Sequence, residues 1–260
     1  MIMDELKIHE LFDLTGKVAI VTGASRGLGK AYSIGLAKAG ANVVAVDISD
    51  VSETVDEIKK LGRETIGIKV DVSKKVDVEA MVKQTVEKFS RIDILVNNAG
   101  ISITGPTETM KEEDWDKVMA VNLKGQFLCV QEVGKHMIEQ RSGKIINQSS
   151  LTGLVGFPQA TAYNSSKGGT ILLTKTLALE WAKYNIHVNA ICPGSFATPL
   201  TEDARKDDGF IQMIKTRVPL ARQGEPEELV GTVVYLASKA SDYMTGHALV
   251  IDGGWTAGYY

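Results

Sequence analysis

Seven short apolar runs alternating with longer stretches of helical periodicity constrain this 260-residue chain more than any single motif does. The runs are Lys17–Thr22, Asn42–Asp47, Ile66–Asp71, Asp93–Asn97, Lys144–Ser149, His187–Cys192 and His247–Ile251. Most are nearly continuous in Val, Ile, Leu and Ala, as strands covered on both faces must be. Helical spacing fills 27–40, 51–62, 75–90, 112–141, 162–185 and 226–239 between them. Ser73 reads as an N-cap, and Gly40 and Gly62 read as helix stops. Strand, helix, strand in repetition requires right-handed crossovers and a parallel sheet. No Pro/Gly/Ser-rich linker or internal repeat divides the chain, so one doubly wound α/β domain over 1–260 is expected.

Composition excludes several classes. Hydrophobic residues are 44% and charged residues 23%, ordinary for a globular protein. No apolar run approaches the roughly 18 residues of a membrane span, and the charged start, Met1 to Thr15, does not read as a signal peptide. A net charge of −3 offers no basic field for nucleic acid or membrane. Two cysteines, Cys129 and Cys192, lie in apolar stretches and leave a cytoplasmic location as the default. His9, His136, His187 and His247 are scattered, so no metal site is expected.

The turn after the first strand is Thr22-Gly23-Ala24-Ser25-Arg26-Gly27-Leu28-Gly29. A structural turn would also use glycine. Here, though, the turn joins a first strand to a helix whose N-terminus offers free N–H groups and a positive dipole end to a pyrophosphate. Asp47, closing the second strand, can accept hydrogen bonds from adenosine ribose hydroxyls and would repel a 2′-phosphate, which predicts NAD over NADP. Arg26 pulls the other way.

Tyr163 and Lys167 are four apart on a helix and can address one ligand, and a nearby cation favours the phenolate. The spacing alone is weak, because Tyr235 and Lys239 repeat it. Neighbours separate the pairs. Ser149 and Ser150 end the fifth strand at the carboxyl edge, where doubly wound folds bind ligands, 13 residues before Tyr163. Asn122 interrupts an apolar helical run, and a buried structural amide is its plainer reading.

From about Leu14 to Trp255 the chain resembles the short-chain dehydrogenase/reductase family. It carries TGxxxGxG at Thr22–Gly29, NNAG at Asn97–Gly100, the Asn of Val-Asn-Leu at Asn122, the Ser at Ser150, YxxxK at Tyr163 and Lys167, Pro193-Gly194, and Asp252-Gly253-Gly254. The resemblance implies a Rossmann-type domain and hydride transfer between a nicotinamide cofactor and an alcohol or ketone. By position, Tyr163 would be the general acid/base, Ser150 would hold the substrate oxygen, Lys167 would bind the nicotinamide ribose and lower the Tyr163 pKa, and Asn122 would hold a relay water. Gly23, Ser25, Arg26, Gly27, Leu28, Gly29 and Asp47 would hold the cofactor with Asn98, Ala99 and Gly100. Asp71 and Val72 would flank adenine; Pro193, Gly194 and Thr198 would meet the nicotinamide end. Residues 195–217 would form a substrate lid.

Phe12–Lys17, Glu180–Ile186 and Ser238–Tyr243 resemble the gluconate 5-dehydrogenase and 2-deoxygluconate 3-dehydrogenase branch, which implies a small polar substrate such as a sugar acid or polyol. The alternative is an NADPH-dependent 3-oxoacyl-acyl-carrier-protein reductase. Against it, Arg141 matches one carrier-binding arginine while Tyr184 stands where the other is expected. A catalytically silent cofactor-binding protein on the same fold is the reading of a different class. Relatives usually form tetramers through the helices corresponding to 112–141 and 162–185 and through the C-terminus. The apolar breadth of 162–185 and the tail aromatics Trp255, Tyr259 and Tyr260 fit a homotetramer.

Overall fold

A computed structural model describes residues 7–258. The seven expected strands form, as β1 (Val18–Thr22), β2 (Asn42–Asp47), β3 (Thr65–Lys69), β4 (Ile94–Asn97), β5 (Gly143–Gln148), β6 (Ile186–Pro193) and β7 (Ala248–Ile251). They make one sheet in the order β3-β2-β1-β4-β5-β6-β7, and every pairing is parallel. Alternate strand residues feed two separate cores. Val18, Ile20, Val44 and Val46 face one way, and Ala19, Val21, Val43 and Ala45 the other. Both faces are apolar, which is why these strands read as continuous rather than alternating runs.

Helices cover both faces. After the short α1 (Ile8–Leu11) come α2 (Gly27–Lys38), α3 (Ser52–Lys60), α4 (Lys75–Phe89), α5 (Glu112–Met119), α6 (Gly125–Gln140), α7 (Thr161–Trp181), α8 (Asp208–Arg217) and α9 (Val230–Ala237). The cores place α4, α6 and α7 on one face and α2, α3 and α9 on the other. Strand order reverses between β1 and β4, and this switch point puts the carboxyl ends of β1, β2, β4, β5 and β6 around one crevice. No helix among the described residues is long and apolar enough to cross a membrane.

Gly40 and Gly62 stop α2 and α3 as expected, with φ of +111° and +73°. Ser73 does not cap α4. The helix starts two residues later, and Ser73 instead gives its N–H and hydroxyl to Asp71, at 3.0 and 2.6 Å. The expected helix over 112–141 is broken by a π-helical turn, Ala120–Lys124, centred on Asn122. The expected helix over 226–239 opens as a 3₁₀ turn, Pro226–Leu229, and α9 ends before Ser238. Residues 208–217, within the segment expected as a lid, form a helix that the periodicity did not indicate.

Candidate active site

Polar groups gather at the carboxyl edge because the strands end there and their helices begin there. In the turn after β1, Gly23 and Gly27 take φ of +71° and +56°, which favour glycine. A Cβ on Gly29 would run into the Gly23 carbonyl oxygen, so α2 packs on the turn only with glycine there. Asn98 staples the turn from β4, its Nδ2 donating to the carbonyls of Thr22 (2.9 Å) and Gly23 (3.2 Å). The N–H groups of Asn98 and Ala99 donate to the Thr22 hydroxyl at 3.0 and 3.1 Å. Arg26, in the N-cap position of α2, makes no side-chain cap bond. The first turn of that helix therefore keeps N–H groups for an anion, as a dinucleotide pyrophosphate requires. Leu28 packs on the core beneath.

Asp47 has a second role that its position alone did not reveal. Its Oδ2 accepts the Ser25 N–H at 3.0 Å and its Oδ1 the Ser49 N–H at 2.9 Å. The carboxylate thus ties the glycine turn to the end of β2, and each oxygen keeps an acceptor position for a ligand hydroxyl. Arg26 is exposed and makes no ion pair among the described residues. Across the crevice, Thr198 and Pro199 lie against Gly27, and β6 ends at Pro193, with the Gly194 N–H bonded to the Ile251 carbonyl at 2.9 Å. Asp71 is half-buried, and the Ser73 hydroxyl holds its carboxyl below the usual range. Val72 is buried against Gly125.

The second cluster forms where β5 meets α7. Lys167 is 2% exposed. Its ammonium donates to the Gln148 carbonyl at 2.8 Å and lies 5.4 Å from the centre of the Tyr163 ring. Burial lowers its pKa to about 8. Tyr163 is half-buried. Burial raises its phenol above the ordinary value, and the neighbouring Ser150 hydroxyl opposes that rise. Of the adjacent serines, Ser149 turns inward and gives its hydroxyl to the Lys167 carbonyl at 2.8 Å, whereas Ser150 faces the phenol.

Asn122 is fully buried. Its Oδ1 accepts the Ile101 N–H at 2.8 Å, and its Nδ2 donates to the Ile101 carbonyl at 2.9 Å and to Ser166 at 3.2 Å. The amide is committed to structure. The side chain thereby ties the π-helical turn to the segment after β4 and to α7. A Cβ at Gly100 would stand 3.3 Å from Asn122 Oδ1 and 3.6 Å from Lys167 Nζ, so the turn after β4 closes on both. The repeat pair behaves differently. Ser238 between Tyr235 and Lys239 is extended (φ −106°, ψ 176°), so the two never share a helical face.

Two groups were not legible beforehand. The Gln148 carbonyl is a backbone atom that no side-chain pattern marks. Thr152 donates both its N–H and its hydroxyl to Ser150 Oγ, each at 3.1 Å, and the Ser-x-Thr spacing was its only signal.

A parallel sheet with a dinucleotide-type turn at its switch point, and a tyrosine, lysine and serine at the same edge, has the layout of a nicotinamide-dependent oxidoreductase. Comparison with known proteins agrees. A short-chain dehydrogenase model described as enoyl-(acyl carrier protein) reductase matches residues 23–256. The chain is 42% identical over 251 residues to a 2-dehydro-3-deoxy-D-gluconate 5-dehydrogenase of Escherichia coli, covering 96% of this chain and 99% of that one. It is 44% identical over 243 residues to a 3-oxoacyl-acyl-carrier-protein reductase of Thermotoga maritima, covering 93% and 98%. A gluconate 5-dehydrogenase from Burkholderia cenocepacia, solved with NADP and tartrate, superposes with a TM-score of 0.93 at 35% identity, covering 97% and 100%. The protein belongs to the short-chain dehydrogenase/reductase family and is an oxidoreductase acting on CH–OH groups.

Proposed function

We propose that the protein interconverts the secondary alcohol and ketone of a sugar acid or related polyol, with NAD as the preferred cofactor. The observation that carries the chemistry is the convergence of the Ser150 hydroxyl and the Lys167 ammonium on Tyr163. When bound, the dinucleotide supplies the hydride acceptor or donor. In oxidation Tyr163 Oη takes the hydroxyl proton while Ser150 steadies the substrate oxygen, and reduction reverses both movements. Lys167 keeps a positive charge beside the phenol and orients the ribose, and a relay water is placed at Asn122. The glycine turn, Asn98 to Gly100 and Asp47 hold the nucleotide, Asp71 and Val72 flank its adenine, and Pro193, Gly194 and Thr198 border the reacting end. Residues 195–217 cover the substrate.

A sugar-acid substrate is supported by the names of the relatives, which include a keto-gluconate reductase at 38% identity. The carrier-protein reading has a relative of similar identity. Against it, Tyr184 stands where a second carrier-binding arginine is expected and supplies no cation. The test is reduction of NAD and NADP with gluconate, 2-deoxygluconate, simple polyols and secondary alcohols, beside NADPH oxidation by a 3-oxoacyl thioester. Turnover of the thioester alone would reject the sugar-acid reading. The two free, buried cysteines support a cytoplasmic location.

A homotetramer completes the reading. Ile171, Leu177 and Ala178 of α7 are buried within the chain, but Leu172 and Leu179 are 66% and 84% exposed, and Phe127 of α6 is 45% exposed. Such apolar groups on two adjacent long helices are the kind of surface that subunit contacts cover. Trp255 of the tail packs edge-on against Phe157 of its own chain, with ring centres 6.3 Å apart; Tyr259 and Tyr260 lie outside the described residues. Light scattering at micromolar concentration should give about four times the 28.1 kDa of one chain. Leu179→Lys should lower that mass. A fully active wild-type monomer would reject the assembly.

A further inference from the structure

We propose that Thr152 is a positioning residue that restricts Ser150 to hydrogen-bond donation and so fixes the path of the reacting proton. A serine hydroxyl has one proton and two acceptor lone pairs. Ser150 Oγ already accepts twice, from the Thr152 N–H and the Thr152 hydroxyl, each at 3.1 Å. Only donation remains. Ser150, 8% exposed, is the N-cap of the 3₁₀ turn Leu151–Gly153, so the pairing with Thr152 is built into that turn. Its proton can go to Tyr163 Oη or to a substrate oxygen, and it cannot receive the Tyr163 proton.

Two consequences follow for the reaction proposed above, on which this inference rests. During oxidation the substrate's hydroxyl proton must pass directly to Tyr163 Oη, because Ser150 has no lone pair to relay it. The hydride leaves the same carbon with its electron pair, and the carbonyl oxygen that forms accepts the Ser150 proton in a hydrogen bond. Before substrate binds, donation from Ser150 would favour the phenolate, in keeping with the direction in which the neighbouring Ser150 hydroxyl moves Tyr163. Lys167 on the same helix lies against the Tyr163 ring, and beside Lys167 is Cys192 of β6, whose thiol burial pushes up so that it stays neutral.

Thr152→Val keeps the shape and removes the hydroxyl. Ser150 regains a lone pair, Tyr163 O–H can donate into it, and the protonated phenol is stabilised. The Tyr163 ionisation midpoint is read in the NAD complex as the phenolate absorbance that Tyr163→Phe lacks. It should move upward by about 0.7 pH unit, roughly a fivefold change in the ionisation constant for one neutral hydrogen bond. Thr152→Ser should restore it. In a Ser150→Ala background Thr152→Val should add nothing, since the effect acts through Ser150.

NADH affinity, measured by fluorescence titration, should stay unchanged throughout. A lowered Tm with an unmoved midpoint, or an equal shift in the Ser150→Ala background, would overturn the proposal. If Thr152→Val folds poorly, Thr152→Ala gives the same two readings. The titration needs no substrate, so failure of the catalytic reading is recognised separately, as full turnover in Tyr163→Phe.

Discussion

Tyr163→Phe should reduce turnover by about 10²- to 10⁴-fold, the usual contribution of a positioned acid/base group, while NADH binding persists. The substitution removes one oxygen from a half-buried ring and leaves Lys167 bonded to the Gln148 carbonyl at 2.8 Å, so the local frame survives. Tyr235→Phe is the matched control. Its ring packs on the opposite core and shares no helical face with Lys239, so that variant should keep wild-type turnover. Steady-state kinetics on the substrate identified in the panel, beside NADH fluorescence titration, check both. Near wild-type turnover in Tyr163→Phe would remove the acid/base assignment and leave a silent nucleotide-binding protein as the better reading.

Replacing Asp47 should reverse the cofactor preference. In Asp47→Ala the ribose acceptor and the repulsion of a 2′-phosphate disappear together, so kcat/KM for NAD should fall about 10- to 100-fold, as for loss of charged hydrogen bonds, while that for NADP rises. The alanine also releases the N–H groups of Ser25 and Ser49, which loosens the glycine turn for either cofactor. Asp47→Asn separates the two effects, because it keeps an acceptor and loses the charge. It should therefore gain NADP use with a smaller loss of affinity for the shared pyrophosphate. The NADP bound to the Burkholderia cenocepacia relative makes the wild-type measurement decisive. A wild-type enzyme with a higher kcat/KM for NADP would mean that Arg26, exposed beside the turn, outweighs the carboxylate.

Much of this molecule could be read before its structure was seen, for a local reason. Seven strands with apolar side chains on both faces leave a continuous signature in sequence, and β1 to β7 all lie within two residues of the expected bounds. The glycine turn, Asp47, Ser150 and the Tyr163–Lys167 pair were legible because covalent spacing and strand ends set where they stand. Other features are choices among hydrogen-bond partners distant in the chain. Helical spacing reads as one element over 112–141, with Asn122 interrupting only its apolar run. The π turn arises where Asn122 meets Ile101 and Ser166, which are 21 and 44 residues away. Ser73 looked like a cap, yet the helix begins two residues later and Ser73 is held instead by Asp71, to which it gives its N–H and hydroxyl. The lysine's support is a main-chain carbonyl on another element, and Tyr235 loses its apparent partner to one extended residue, Ser238. Periodicity and spacing, being properties of neighbouring residues, determined the sheet and which candidate residues stand at its carboxyl edge. Which acceptor each buried donor reached was decided only in the folded chain, because a buried polar group must find a partner and the nearest one is set by packing.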